Sequence, residues 1–299
     1  MSTSTVIRHV HLPGITPFAY AQALQQHLVS QFLTHKAAIS AINPPHPLPA
    51  APLPTIITFT PKPVYTTGRR EHDTLSPSQR ELLTAPMIPL RPPSRPPALP
   101  YVPEIVPTLR GGQTTFHGPG QLVVYPILDL KTPFQLFPKG ISVRCYVHLL
   151  EQTTINWLTW WQVVGIRTEN PGVWDESGER KIAALGVHLR RNITSYGVGL
   201  NINTDLRWFE RIVACGLVGK RVTNVEELRK EKGIEMKKKQ MGRVYKHTGF
   251  HWANGFAKGL YGEDGGWMVK KFRVEELGFE EEDLERILKL RESPEVEVV

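Results

Sequence analysis

The segment R-G-G-Q-T-T-F-H-G-P-G-Q, residues 110–121, constrains the fold more than any other stretch of the chain. Its four glycines and one proline lie beside Arg110 and His117, so the backbone is free to adopt positive φ and to come close to a ligand, and a helix is excluded. The apolar run L-V-V-Y-P-I-L that follows reads as a buried strand. A loop that merely turns between strands and a loop that cradles a ligand both fit. Neither G-x-x-x-x-G-K-[ST] nor G-x-G-x-x-G is present, which weighs against a phosphate cradle.

A chain of 299 residues accommodates one large domain or two modest ones. Of these residues 40% are hydrophobic and 21% charged, an ordinary balance for a globular protein with a sizeable core. No apolar run is long enough for a transmembrane helix, so no membrane partner is expected. The formal charge of +8 draws an acidic partner through its long-range field, either nucleic acid or an acidic protein, or else marks a solvated basic surface. Cys145 and Cys215 are the two cysteines, too few for a disulfide framework, and a reducing compartment follows. No Asp or Glu precedes Glu71, as in some transit peptides, but Arg8 is the one arginine in the first 60 residues. The N-terminus is therefore read as part of the domain and not as a cleavable presequence.

Val6 to Leu12 reads as the opening strand, followed by a helix near Pro17 to Leu33. Two proline-rich stretches, 41–54 and 86–107, are read as loop insertions, the second extended and exposed. Between them Thr55 to Phe59 reads as a strand entering V-Y-T-T-G-R-R at 64–70. Apolar residues at helical spacing from Ile141 to Trp161, among them Val143, Tyr146, Val147, Leu150, Ile155 and Leu158, predict a core-facing helix with Cys145 buried in it as a small hydrophobe. Residues 181–189 and 196–203, separated by R-R-N, predict an antiparallel hairpin. Leu206, Phe209 and Ile212 share a face of a short helix over 205–213 that delivers the chain to A-C-G. The charged stretch Glu226 to Lys246 reads as a solvated loop, Trp252 to Leu260 as a helix, and the tail as one surface helix around Leu284, Ile287 and Leu288. The division expected is a catalytic domain over 1–262 and a charged helical tail over 263–299.

Cys215 is the better placed nucleophile, because Ala214 and Gly216 leave room for a carbonyl to approach. A free thiol is ionised by only a few per cent at neutral pH, so it needs a basic partner. Lys181, at the start of the strand K-I-A-A-L-G, is the candidate. Pairing about the R-R-N turn brings it level with roughly Asn201 to Asn203, close to where the chain leaves for Cys215. A strand-end lysine facing solvent fits the spacing as well. His117 is a rival base, a donor that orients substrate, or a satisfied core histidine. No His and Cys spacing matches a zinc site and no serine elbow is present, so neither a metal nor a cofactor is expected.

Four blocks in order, R-G-G-Q-T-T-F-H-G-P-G-Q, K-I-A-A-L-G-V-H-L-R-R, Y-G-V-G-L-N-I-N-T-D-L and A-C-G-L, resemble the signature blocks of the octanoyltransferase family, also called lipoyl(octanoyl) transferase or lipoate-protein ligase B. V-Y-T-T-G-R-R resembles a further block, and the similarity spans roughly residues 5–260. The resemblance implies an α/β (α+β) fold like that of biotin and lipoate protein ligases, a mixed β-sheet packed with helices plus a smaller sheet. It implies Cys215 as nucleophile and Lys181 as essential lysine. It implies an acyl site built from Arg110, Gly111, Gly112, Gln113, Thr114, Thr115, Phe116 and His117, from Ala184, Leu185 and Gly186, and from Gly197, Val198 and Gly199. The donor implied is octanoyl-acyl carrier protein. The acceptors implied are lipoyl domains of 2-oxoacid dehydrogenase acyltransferase subunits and the glycine cleavage H protein, with no nucleic acid, in the mitochondrial matrix. The chain departs from the pattern at Tyr196, where histidine is common, and at Gly199, where alanine is common. An ATP-dependent lipoate or biotin ligase of the same fold, and an inactive protein that docks carrier domains, are the competing readings.

Overall fold

The computed structural model of the chain describes residues 6–43, 46–71, 74–90, 100–212, 219–235 and 238–292. Strand β1 (Ile7–Thr16) leads into α1 (Phe18–Ile39), and β2 (Thr55–Pro61), β3 (Val64–Thr67), α2 (Pro77–Thr84), β4 (Glu104–Pro107), β5 (Thr115–His117) and β6 (Gln121–Ile127) follow. Next come α3 (Val143–Thr159), the short β7 (Val173–Trp174) and the strands β8 (Arg180–Arg190) and β9 (Ile193–Asn201). The described chain ends with β10 (Arg221–Val222), α4 (Val225–Glu231), α5 (Lys238–Tyr261), β11 (Val269–Lys271) and α6 (Glu281–Arg291).

Eight strands form a mixed sheet in the order β10-β8-β9-β6-β2-β1-β11, with β7 also on β8, and β4-β3-β5 form a second sheet of three. This is the mixed sheet with helices and a smaller sheet that the motifs imply. The helices cover both faces of the large sheet, because its strands are apolar on both. On one face α3 and α5 bury Tyr146, Leu150, Trp252, Phe256 and Leu260 against Leu122, Val124, Val198 and Leu200. On the other, α1 sets Phe18, Leu24, Leu28 and Phe32 against Ile57, Phe59, Val123 and Tyr125, and α6 adds Ile287. A third cluster, Tyr65, Leu83, Phe116, Trp208 and Phe209, fills the space beneath the small sheet.

The predicted hairpin is present, and its turn is Arg191–Asn192 with φ of 50° and 67°. Positive φ at both central residues is the two-residue geometry whose twist matches that of the flanking strands. The opening strand and first helix run further than their patterns indicate, to Thr16 and Ile39. The short helix before A-C-G is a 3-10 turn, Leu206–Arg211, with the Asp205 carboxylate accepting from the Arg207 N–H as its N-cap.

Four expectations are corrected. Cys145 is exposed, because Ser142 caps α3 and places positions 143 to 145 in a solvent-facing first turn; Val143 is exposed with it. Residues 225–231 and 238–246 of the charged stretch are helical, where a loop was expected. Asn224 caps α4 through the Glu227 N–H, and Val225 and Leu228 are buried, so two apolar contacts anchor a helix whose remaining residues are charged. The second proline-rich stretch is not wholly exposed, since Glu104–Pro107 pairs with β3 and Met87 bridges Tyr101. In the tail, β11 precedes α6 and pairs in parallel with β1 through Ile7, Arg8 and His9.

Candidate active site

The glycine-rich segment is held against the start of the β8–β9 hairpin's tip half. The Gly111 N–H donates to the Val187 carbonyl at 3.1 Å, and the Arg110 guanidinium folds back on its own loop. It donates to the carbonyls of Gly111 and Gln113 at 3.0 Å each and to the Thr66 carbonyl at 2.6 Å. Arg110 is thus the clamp that fixes the loop on β3. The glycine ending V-Y-T-T-G has a steric reason: a Cβ on Gly68 would fall 1.8 Å from the Gly112 carbonyl oxygen.

Between this loop and the hairpin lies a cavity of about 310 Å³. Its walls are Arg110 to Gln113, Thr115 and His117 on one side, and Ala184 to Val187 and Tyr196 to Gly199 on the other, with Val147 of α3, Tyr125, Asn170, Pro171 and Lys181. A Cβ on Gly186 would meet the Arg110 side chain at 2.9 Å, and one on Gly199 would meet the His117 ring at 3.1 Å. Those glycines let the backbone itself form the wall. Strand alternation turns the remaining two members of the predicted segment away. Phe116 enters the third cluster between Tyr65 and Trp208, and the N–H and hydroxyl of Thr114 both donate to the Glu71 carboxylate.

Lys181 is 5% exposed, and its Nζ donates to the Pro171 carbonyl at 3.1 Å and sits 4.5 Å from the centroid of the Trp174 ring. It is a buried amine on the cavity wall, not a surface lysine. Its strand is paired on both sides there: Trp174 of β7 and Val222 of β10 both lie in register with it. Cys215 lies outside the described residues. The chain on either side of it is described, and Phe209 and Val222 both line a small recess together with Lys181 and Ala184.

His117 is 7% exposed, and Nδ1 lies 2.6 Å from the Gln121 Oε1. The Gln121 amide donates to the Phe116 carbonyl and to Asn201 Oδ1, which leaves its oxygen facing the ring. Nδ1 is therefore the protonated nitrogen and Nε2 an acceptor. Burial pushes the ring down to about 4, partly offset by Gln121, so His117 is neutral at physiological pH. His9, buried at 3% exposure beneath α5 and bonded to the Thr58 hydroxyl, is pushed down to about 3 by burial and by the nearby His11 and Lys271.

Both rings ordinarily titrate near 6.5, so as pH falls the unfolded chain takes up protons first. Stability is full above roughly pH 6.5 and declines as the medium is acidified toward 4. We expect the urea midpoint to drop between pH 7 and pH 5, and to drop less after His9→Gln and His117→Gln. An unchanged midpoint over that interval would contradict the buried neutral state of both rings.

Sequence reasoning did not name Tyr125, Val147, Asn170, Pro171 and Val187 as parts of the site. The turn E-N-P-G at 169–172 was a signal for two of them, since a proline–glycine turn opposite a strand end offers a free carbonyl. Among the described residues no group of three or more His, Cys, Asp and Glu side chains is arranged to hold a metal ion, and no helix is long and apolar enough to cross a membrane.

Residues 98–245 match the lipoyl protein ligase A/B catalytic domain. The chain is 41% identical over 206 residues to a probable octanoyltransferase of Schizosaccharomyces pombe, spanning 69% of this chain and 78% of that protein. It is 37% identical over 225 residues to the mitochondrial octanoyl-[acyl-carrier-protein]:protein N-octanoyltransferase LIPT2 of Danio rerio, spanning 75% and 84%. The bipartite lipoate protein ligase of Thermoplasma acidophilum, solved in a study of that archaeal lipoylation system, superposes with a TM-score of 0.57 at 10% identity over 96% of this chain and 93% of that one, which is a likeness of fold. With relatives of this identity matched over most of their length, the chain belongs to the octanoyltransferase family and is an acyltransferase.

Proposed function

We propose that this enzyme moves an octanoyl group from octanoyl-acyl carrier protein to a lysine of a lipoyl domain through a thioester on Cys215. The observation that carries the reading is the buried amine of Lys181, on the wall of a glycine-lined cavity and beside a recess touched by both flanks of the Cys215 segment. An amine is costly to bury without a task or a partner, and here it has one carbonyl and one aromatic face.

In the first half-reaction Lys181 accepts the Cys215 proton, and the thiolate attacks the carbonyl carbon of the incoming thioester. The bond to the carrier sulfur breaks, and the Lys181 ammonium protonates the departing thiol. In the second, the lipoyl-domain amine attacks the acyl-enzyme, an amide forms, and the bond to Cys215 breaks. Lys181 takes the amine proton. Thioester to amide is downhill, so the exchange runs without ATP, unlike the ligase reading. The net charge of +8 suits acidic carrier and lipoyl partners. Two eukaryotic relatives are named mitochondrial, in keeping with action in the mitochondrial matrix.

Intact mass spectrometry after incubation with octanoyl-acyl carrier protein tests the reading. The expected result is a single added octanoyl group that hydroxylamine removes and that maps to Cys215. A protein whose mass does not change under conditions of turnover would overturn it.

A further inference from the structure

Tyr196 has a φ of 60°, a left-handed conformation unfavourable for a large side chain. Along a strand, positions 196 and 198 belong to one face. Val198 packs in the cluster under α3, whereas Tyr196 packs in the cluster under α1, so the backbone twist has carried it to the opposite side of β9. Three elements hold it there. Its N–H donates to Oε1 of the buried Gln25 of α1 at 2.5 Å, its hydroxyl accepts from the Leu109 N–H at 3.4 Å, and its ring meets Tyr125 of β6 edge-on at a centroid distance of 5.5 Å.

The position is as informative as the strain. Tyr196 pairs with Val187, six residues along β8 from Lys181, but the Lys181 side chain runs up the wall to the level of Ala183, whose carbonyl oxygen and the Lys181 Cε both lie against Gly172, so its amine stands about four residues, or roughly 13 Å, from the level of Tyr196. Lys181 and Tyr196 therefore mark the two ends of the cavity's hairpin wall. Between them β9 presents Gly197 and Gly199, where a Cβ would fall 2.3 Å from the Val124 carbonyl and 3.1 Å from His117. Tyr196 is the largest β9 side chain on the cavity.

We infer that Tyr196, backed by Tyr125, is the stop for the methyl end of the acyl chain and sets the chain length the enzyme accepts; this rests on the acyl-transfer reading above. With the carbonyl at the Lys181 end, a medium-length chain fits along the glycine wall. A longer one must displace the phenol, breaking its hydrogen bond from the Leu109 N–H and its edge-on packing on Tyr125.

The test measures kcat/KM for loading from octanoyl- and dodecanoyl-acyl carrier protein by the wild type, Tyr196→Gly and Tyr196→Phe. Glycine adopts the left-handed φ freely and removes the stop, whereas phenylalanine keeps the ring. The preference for octanoyl is expected to fall about tenfold or more in Tyr196→Gly, the scale on which apolar pockets discriminate a methylene or two, and to persist in Tyr196→Phe. Should circular dichroism show the glycine variant unfolded, Tyr196→Asn, which also tolerates left-handed φ, carries the same expectation. A folded variant with the wild-type ratio overturns the role of Tyr196 alone. A wild type that takes up neither group overturns the acyl-transfer reading and this inference with it.

Discussion

Replacing Cys215 by serine is expected to lower octanoyl transfer by about a thousandfold or more and to leave no acyl-enzyme in the mass spectrum. A thiol near neutral pH holds a usable fraction of thiolate, and the amine proposed to stand beside it would raise that fraction, whereas a serine hydroxyl at the same place is many orders of magnitude less acidic. Serine is nearly isosteric, so the melting temperature and the affinity for the carrier protein should hardly move. Steady-state kinetics with octanoyl-acyl carrier protein and an isolated lipoyl domain separates the possibilities. An adenylating ligase would be indifferent to the change, and a docking protein would show no turnover in either form. Retention of transfer within about tenfold of the wild type would remove Cys215 from the mechanism.

Removing the amine of Lys181 is the second large expected effect. Lys181→Met keeps the length and apolar stem of the side chain in a slot lined by Trp174 and the backbone of Gly172, and deletes the group proposed to carry the proton. Transfer should fall about 10²- to 10⁴-fold, the usual span for one acid–base residue. The fold should survive, because the change leaves one carbonyl, that of Pro171, short of a donor, on the order of 1 to 3 kcal/mol. Lys181→Arg should not rescue activity, since a guanidinium holds its proton throughout. If the methionine variant transfers octanoyl at the wild-type rate while melting normally, Lys181 is a packing residue and the proton has another carrier.

The parts of this site visible in the sequence are those whose residue types are forced locally. Gly111, Gly112, Gly186, Gly197 and Gly199 announce backbone walls, because a side chain at several of them collides with a neighbouring element. The hairpin was legible from R-R-N between two apolar runs, and with it the placement of Lys181 near the chain that leaves for Cys215. What was not legible depends on distant partners. Nothing around Tyr196 signals that Gln25, 171 residues away, holds it in a left-handed turn. Cys145 follows an apolar pattern shared by the whole of α3, and its exposure is decided by where Ser142 starts the helix and so which turn faces solvent. The helices within the charged stretch depend on a few buried contacts, such as Val225 and Leu228, that composition outweighs.

The parallel pairing of Ile7, Arg8 and His9 with Val269, Lys270 and Lys271 ties together positions more than 260 apart in the chain. A ribosome must therefore finish most of the polypeptide before that border of the sheet is sealed, and until then β1 offers an open ladder to any passing strand. The hairpin and β6 that wall the cavity span only residues 121–201, so they are available to assemble during synthesis while the border waits. Late closure at one margin and early assembly at the centre make the newly made chain most in need of shielding at its beginning.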